Sequence, residues 1–565
     1  MKCQFKPTES ERKNKKITSI FTSRIGKDVA KVCVALNANE VEINKENALE
    51  HCPIYLSISQ DDTVLGKIGN NGCCPILMEP LNFFNNNDSG GHTIKERTRN
   101  VLLNNAEPIL LGLQPKNPLS DMALKAIQRD RHCLHKGVVE ERIKRLTRYF
   151  RNTMMSRCIA EINALSKSGF KLKIGNDENA KTIIAHPIVI MFPADNKEAN
   201  DIASVNSLKN GRKCRCCNET NCLRFTKGSR KWKFRKDEET QLLCTELAKI
   251  ENKVYKKLTQ SHRKQKSPDW YTPSDKVNMK KANDMNIIPG TCSSIYFDTA
   301  RNLREVWGLK YMGLHCMVPI DELHTLLKGI VENVICWVMN VLYSLIEYNK
   351  DEYGNIVREV DAVFQNFPYK NAVNPFPLPA KPQGISVLFT QKKSKKASAQ
   401  KGTGMGSGGT PAWHMPGIAF MLLHAVANNK TIPEHKVQAP RGKVYDPKVN
   451  WHVRTILINA LQSALDLVSW SRKEEGFSKE DLDTIDSLTA NSRCHMYQLF
   501  YMRSDLKQLK IEKKNRVHKL FNGIKHHLCE HLTFFIRLFG IKRIFDTQRS
   551  EHFHVVIKGT TVYSG

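Results

Sequence analysis

Three histidines, His526, His527 and His531, fall within six residues of one another near the end of the chain, and Glu551 and His554 follow about twenty residues later. A His-x3-His pair puts two imidazoles on one face of a helix, a spacing that suits a metal ion. His526 competes for the first position, but the i, i+4 spacing to His531 favours His527. Far upstream, Cys214-Arg-Cys-Cys217 forms a C-x2-C pair. Two thiolates can grip one Zn2+, but a tetrahedral site needs two more ligands. Those could come from nearby, with Cys216 and Cys222 at hand, or from His527 and His531.

A second chemistry needs acids. Asp61, Asp195 and Glu551 each read singly as a solvated cap or turn residue. Grouped, they supply hard oxygen ligands of the kind preferred by Mg2+ or Mn2+. Two such ions about 3.5–4 Å apart activate a nucleophile and stabilise the leaving oxygen of a phosphodiester. Asp321 and His324 lie one turn apart where a helix is expected to begin. That spacing permits a hydrogen bond or a shared metal, but the helix dipole alone can explain the acid, and a structural role is the expectation for both.

The elements that would position these groups are legible as apolar runs. Residues 53–58, 75–78 and 108–113 read as three strands separated by Asn/Gly-rich turns. Val138 to Leu165 follows as an amphipathic helix, with Ile143, Leu146, Phe150, Met154, Ile159 and Ile162 near helical spacing. His186-Pro-Ile-Val-Ile-Met-Phe192 is then a fourth strand running toward Asp195. Continuous rather than alternating apolar runs are what parallel strands buried on both faces require. Three strands, a helix and a fourth strand, with acids after the first and fourth, make up the order of a ribonuclease-H-like α/β core. Ligand sites of open α/β sheets lie at such strand ends.

The expected domains are a basic flexible arm over 1–45, the first part of the core with its C-x2-C knuckle over 46–234, a mostly helical insertion over 235–525, and the returning end of the core over 526–565. Within the insertion, Ile320–Tyr348 and Trp451–Trp470 have helical patterns, and Lys392 to Gly409 is a Lys/Gly-rich linker too poor in apolar residues to fold alone. The most apolar helix, Asn333–Ile346, is expected to be buried and too short to cross a bilayer, so no membrane partner is anticipated.

With 87 lysines and arginines against 56 acids, the 565-residue chain carries a net charge of +31. Such an excess fits a polyanion, because every phosphate neutralised releases condensed counterions. Basic stretches occur at Arg142–Arg148, Lys227–Lys236 and Lys507–Arg516, and Lys231-Trp-Lys-Phe234 interleaves cations with aromatics as single-strand binders do. The N-terminus has no secretory h-region. Seventeen scattered cysteines then imply reduced thiols inside a cell, and the Arg12–Lys16 cluster hints at nuclear import.

Four blocks in order carry a family resemblance. His527-x3-His531, IRLFG (536–540), FDT (545–547) and Ser550-Glu551-x2-His554 resemble the C-terminal motifs of CACTA-type transposases (the CMC group: CACTA, Mirage, Chapaev), nearest the Plavaka-like branch. Ile320 to Gly329 is similar to the family's D-x-x-H-x-L-x-K-G block. HPIVIMFPADNKEA followed by Cys214-x2-Cys217 is similar to its ADxPE…CPxC region, and IYLSISQDDTVLGKIG to the segment with the first catalytic aspartate. The blocks run from about residue 52 to 556.

The resemblance implies a nuclear DDE transposase of a transposable element, acting as a homo-oligomer on DNA: it would cleave element ends and transfer strands. It assigns Asp61, Asp195 and Glu551 to catalytic Mg2+ or Mn2+, and Cys214, Cys217, His527 and His531 to structural Zn2+, as in the V(D)J recombinase. The chain departs from the family pattern in having Asp61-Asp62 where relatives have one acid, and Gln548 where they have an acid. It has no N-terminal zinc finger and ends eleven residues after His554, where relatives continue. A truncated or domesticated copy that binds DNA without cutting it is therefore the alternative expectation. An RNA-processing nuclease on the same core is a third.

Overall fold

The computed structural model of the chain describes residues 16–60, 72–81, 109–115, 155–175, 180–205, 214–218, 233–261, 268–285, 294–366, 414–433, 450–473, 476–506 and 523–540, with short pieces at 2–3, 63–64, 83–84 and 436–438 and single residues at 6, 9, 13, 153 and 287. The chain is of mixed α/β class and forms two compact units. One comprises residues 1–220, 232–321 and 534–565; the other comprises 221–231 and 322–533.

The first unit is built on a mixed sheet of β1 (Glu50–Gln60), β2 (Gly72–Pro80), β3 (Ile109–Pro115), β4 (Phe170–Ile174) and β5 (Lys181–Met191). Its order is β3–β2–β1–β5–β4, and a short strand, Thr63–Val64, also pairs with β2. Only β1 and β5 run parallel, with Tyr55 opposite Ile188; the β1–β2, β2–β3 and β5–β4 pairs are antiparallel. The same two strands are buried on both faces, over 52–59 and 185–191, which is why their sequences read as continuous apolar runs. At the sheet edge, Ile109 and Leu110 of β3 remain 48% and 42% exposed. A helix over 155–168 carries the chain between β3 and β4, burying Met155 and Ile159; the earlier part of the expected helix, 138–152, lies outside the described residues.

The expected flexible arm is corrected over its second half. Arg24–Asn44 forms a helix, α1, with Ile25, Val29 and Cys33 buried at i, i+4 and i+8. Ser23 caps it, its Oγ accepting from the Gly26 N–H at 3.2 Å. Just before it, the Phe21 ring meets Tyr55 of β1 edge-on at 5.7 Å. Basic side chains on the outer face masked this apolar stripe in the composition, although burying one helical stripe needs no more than those residues.

Downstream in the same unit come α2 (Asn196–Ile202), α3 (Asp237–Ser261), α4 (Pro273–Met285) and α5 (Ser294–Glu305). Among its described residues the second unit is helical apart from a two-stranded ribbon of Lys436–Gln438 and Asn450–His452. A π-helix over Leu323–Val331 runs directly into α6 (Glu332–Tyr348). The apolar helix is thus longer than the expected 333–346: Leu323–Tyr348 is long and apolar enough to cross a membrane by length and composition, but 72% of its most apolar window is buried within the fold. Around α6 pack α7 (Met415–Asn428), α8 (Val453–Ser471) and α9 (Lys479–Leu506). Two short helices follow, α10 (Gly523–Cys529) and α11 (Leu532–Phe539). The Lys392–Gly409 linker lies outside the described residues.

Candidate metal centre

Cys214 and Cys217 sit on a small knuckle held from several sides. Antiparallel pairing ties it to 233–235: the Asn218 N–H donates to Lys233 O at 3.0 Å, the Arg235 N–H to Cys216 O at 3.1 Å, and Cys217 faces Phe234. The Arg235 side chain then reaches back, its Nε–H donating to Cys214 O at 2.9 Å and a terminal N–H to Met285 O at 2.7 Å. Arg215 donates to Pro319 O at 3.1 Å. The Cys216 N–H points at Cys214 Sγ at 3.2 Å, the kind of amide contact that favours a thiolate. Cys216 itself is pushed well above the usual thiol range, by its bond to Cys214 and then by burial; it stays a protonated neighbour. Phe234 packs on Phe534 with ring centroids 4.2 Å apart, so this member of the Lys/aromatic run serves packing rather than base stacking.

The histidines occupy a break in the tail rather than one continuous helix. α10 stops at Cys529, Glu530 and His531 turn, and α11 restarts at Leu532. At the break the His531 N–H donates to Leu528 O at 2.9 Å, and the Glu530 N–H is shared between His526 O and His527 O at 3.2 and 3.1 Å. This is the tightened last turn common at helix ends. Across it, His527 Nε2 and His531 Nε2 are 3.2 Å apart. Glu530 Oε2 stands 3.5 Å from the other nitrogen of His527, Nδ1, and its Oε1 is paired with buried Arg493 of α9. Burial opposes the Glu530 charge, but His527 and Arg493 together hold its carboxyl below the usual range. His526 is fully buried, and burial, with help from Arg493, pushes it down to about 3. It is neutral and outside the ligand group, in keeping with the preference for His527.

The Sγ atoms of Cys214 and Cys217 and one ring nitrogen each of His527 and His531 all lie within 4.8 Å of one another, and all four residues are buried. Among the described residues this is the one group of three or more such side chains that gathers in this way. A zinc ion with Zn–S near 2.3 Å and Zn–N near 2.0–2.1 Å sets its tetrahedral ligands about 3.3–3.8 Å apart. The 3.2 Å between the imidazole nitrogens is just under that spacing. Soft thiolates with imidazoles form the donor set of zinc rather than of magnesium or calcium. The cluster can hold a metal ion such as zinc. Eleven cysteines, these two included, are free of disulfides.

The acids are described only in part. Asp61, Asp62 and Glu551 lie outside the described residues, as do Gln548, His554 and Cys222. Asp195 follows β5 and caps α2: its Oδ1 accepts the Glu198 N–H at 2.7 Å. Asp321 is buried and His324 half-buried, and neither belongs to a metal-binding group among the described residues. Spacing alone did not point to Glu530 and Arg493, although the acid between the two histidines in His527-Leu-Cys-Glu-His531 was a signal. Compared with known proteins, the chain matches no family model and no curated protein.

Proposed function

We propose that the chain is a DNA transposase-like protein of the DDE type, with a ribonuclease-H-like core that cleaves DNA and transfers strands in the nucleus. The observation that carries this reading is the sheet order β3–β2–β1–β5, with β1 and β5 parallel and their neighbours β2 and β3 antiparallel. In the sequence, Asp61 is the residue after β1 and Asp195 comes four residues after β5. Both acids thus follow the carboxyl ends of two adjacent parallel strands, where α/β folds carry their chemistry. Asp195 is oriented by its helix-capping bond. Asp61, Asp195 and Glu551 would hold Mg2+ or Mn2+, which supplies activation first of water and then of the freed 3′-hydroxyl. Zn2+ held by Cys214, Cys217, His527 and His531 would brace the tail that bears Glu551, about twenty residues beyond His531.

The test is a nicking assay on DNA carrying terminal inverted repeats, with and without Mg2+ or Mn2+. Metal-dependent cleavage is expected, and Asp195→Ala should slow it by at least about a hundredfold, the loss of a few kcal/mol of transition-state stabilisation. Equal cleavage by both proteins would sink the assignment. DNA binding with no cleavage by either would favour the alternative, a domesticated and catalytically inactive DNA-binding derivative, for which the substitution of an acid by Gln548 speaks.

A further inference from the structure

A histidine that ligates a metal must present one bare nitrogen and keep its proton on the other, and a carboxylate at the second nitrogen fixes that choice. His527 Nε2 converges on His531 Nε2 at 3.2 Å, and its Nδ1 looks the other way, toward Glu530 Oε2 at 3.5 Å. The second oxygen of Glu530 is engaged by Arg493, which is itself only 3% exposed. We propose that Glu530, clamped by Arg493, is the positioning residue of the metal centre: it holds the His527 proton on Nδ1 and aims the Nε2 lone pair at the metal. The inference rests on the zinc reading above and concerns this chain's own groups around it.

The clamp belongs to a wider arrangement on α9. Asp486, Thr489 and Arg493 are spaced i, i+3 and i+7, so they share one face of that helix. Each touches the turn that carries the histidines. Thr533 Oγ1 donates to Asp486 Oδ1 at 2.8 Å, Thr489 Oγ1 lies 4.0 Å from Cys529 Sγ, and Arg493 takes Glu530. One helix face thereby grips both sides of the break between α10 and α11. Of the three contacts, only that of Arg493 leads on to a ligand nitrogen. A purely structural ion pair would support the turn without selecting the His527 tautomer, and experiment can separate the two roles.

The measurement uses the full chain, stripped of metal and titrated with Zn2+ against a competing chelator, then with Co2+ to read its d–d absorption. The wild-type protein should take up one equivalent, which His527→Ala should abolish. Glu530→Ala should weaken Zn2+ binding by roughly ten- to a hundredfold and shift the Co2+ band. Glu530→Gln, which keeps an acceptor oxygen toward Nδ1, should restore most of the affinity. Asp486→Ala, which cuts the neighbouring strap, should leave affinity and band unchanged. If Glu530→Ala binds both ions as the wild type does, the inference is wrong and the zinc reading stands. It is also wrong if Asp486→Ala loses as much affinity as Glu530→Ala and glutamine rescues nothing, because the role is then packing. Should Glu530→Ala not fold, Glu530→Met, which keeps the length of the side chain but offers Nδ1 no acceptor oxygen, takes its place: weakened Zn2+ binding with a shifted Co2+ band supports the inference, and unchanged affinity and band overturn it. A wild-type chain that takes up no metal overturns the zinc reading and the inference together.

Discussion

At the residue scale, His186 shows how thoroughly a buried side chain can be committed. Its Nδ1–H donates to Ser166 O at 2.9 Å, because a carbonyl can only accept. Its Nε2 must then accept, and the donor is Nδ1–H of His51 at 2.8 Å. Trp307 closes the pocket edge-on and donates Nε1–H to Ser166 Oγ at 2.8 Å. Glu40 Oε2, 3.6 Å from His51 Nε2, brings a carboxylate to the chain of rings. His186 is 2% exposed, and burial holds it below its ordinary 6.5, with the bond to Ser166 partly opposing. In the unfolded chain the group protonates near 6.5, so below that pH the unfolded state binds more protons and stability falls as pH drops toward the folded value. His186→Asn should cost about 1–3 kcal/mol at pH 7.5 through the lost buried hydrogen bonds. The gap to wild type should narrow on acidification below 6.5, by at most about 1.4 kcal/mol per pH unit. Denaturation midpoints of both proteins from pH 7.5 to 5 check this; parallel curves would mean that His186 titrates alike in both states.

Elements were legible where the chain's own pattern decides them and hidden where distant groups do. β1 and β5 could be read from their unbroken apolar runs because both faces are buried, and the C-x2-C and His-x3-His spacings declared metal chemistry. That these two motifs meet could not be read, since roughly three hundred residues separate them in sequence. The helix break at Glu530–His531 was equally invisible: contacts from α9 lie on both sides of it, and helix propensity alone would have run α10 into α11. The glycine of the IRLFG stretch has a clear structural reason. Gly540 ends α11 at φ +101°, its N–H donating to Ile536 O at 2.8 Å. A Cβ there would lie 2.5 Å from Ser19 O, a backbone atom with little freedom to move. Gly540→Ala therefore meets both a disfavoured backbone region and a clash, and should destabilise the fold by about 1–3 kcal/mol or more. Chemical denaturation would register it. A shift within a few tenths of a kcal/mol would show that the α11 end relaxes freely.

At the scale of the whole molecule, the +31 charge bears on binding rather than on folding, and the described lysines show that not all of it is available. On α3 and α4, Lys253 is engaged by Asp275 at 2.7 Å, Lys249 by Glu246 at 2.8 Å and Lys281 by Glu239 at 3.2 Å. Lys31 of α1 is paired with Asp28 at 2.8 Å. Such exposed pairs are weak and yield to a phosphate only by giving up their acid. In the proposed reading, contact with DNA would draw largely on the surplus cations, and binding should follow counterion release. If six or more phosphates are neutralised, log K falls with log salt at a slope near −0.9 per phosphate, and affinity for duplex DNA drops at least about a thousandfold between 50 and 200 mM salt. Fluorescence anisotropy on a labelled duplex across that range gives the slope. Asp195→Ala should keep the slope of the wild type, because an acid that serves chemistry contributes nothing to counterion release. A flat salt response would remove DNA as the partner that the charge serves. A steeper slope for Asp195→Ala would mean instead that the carboxylate had been repelling the backbone.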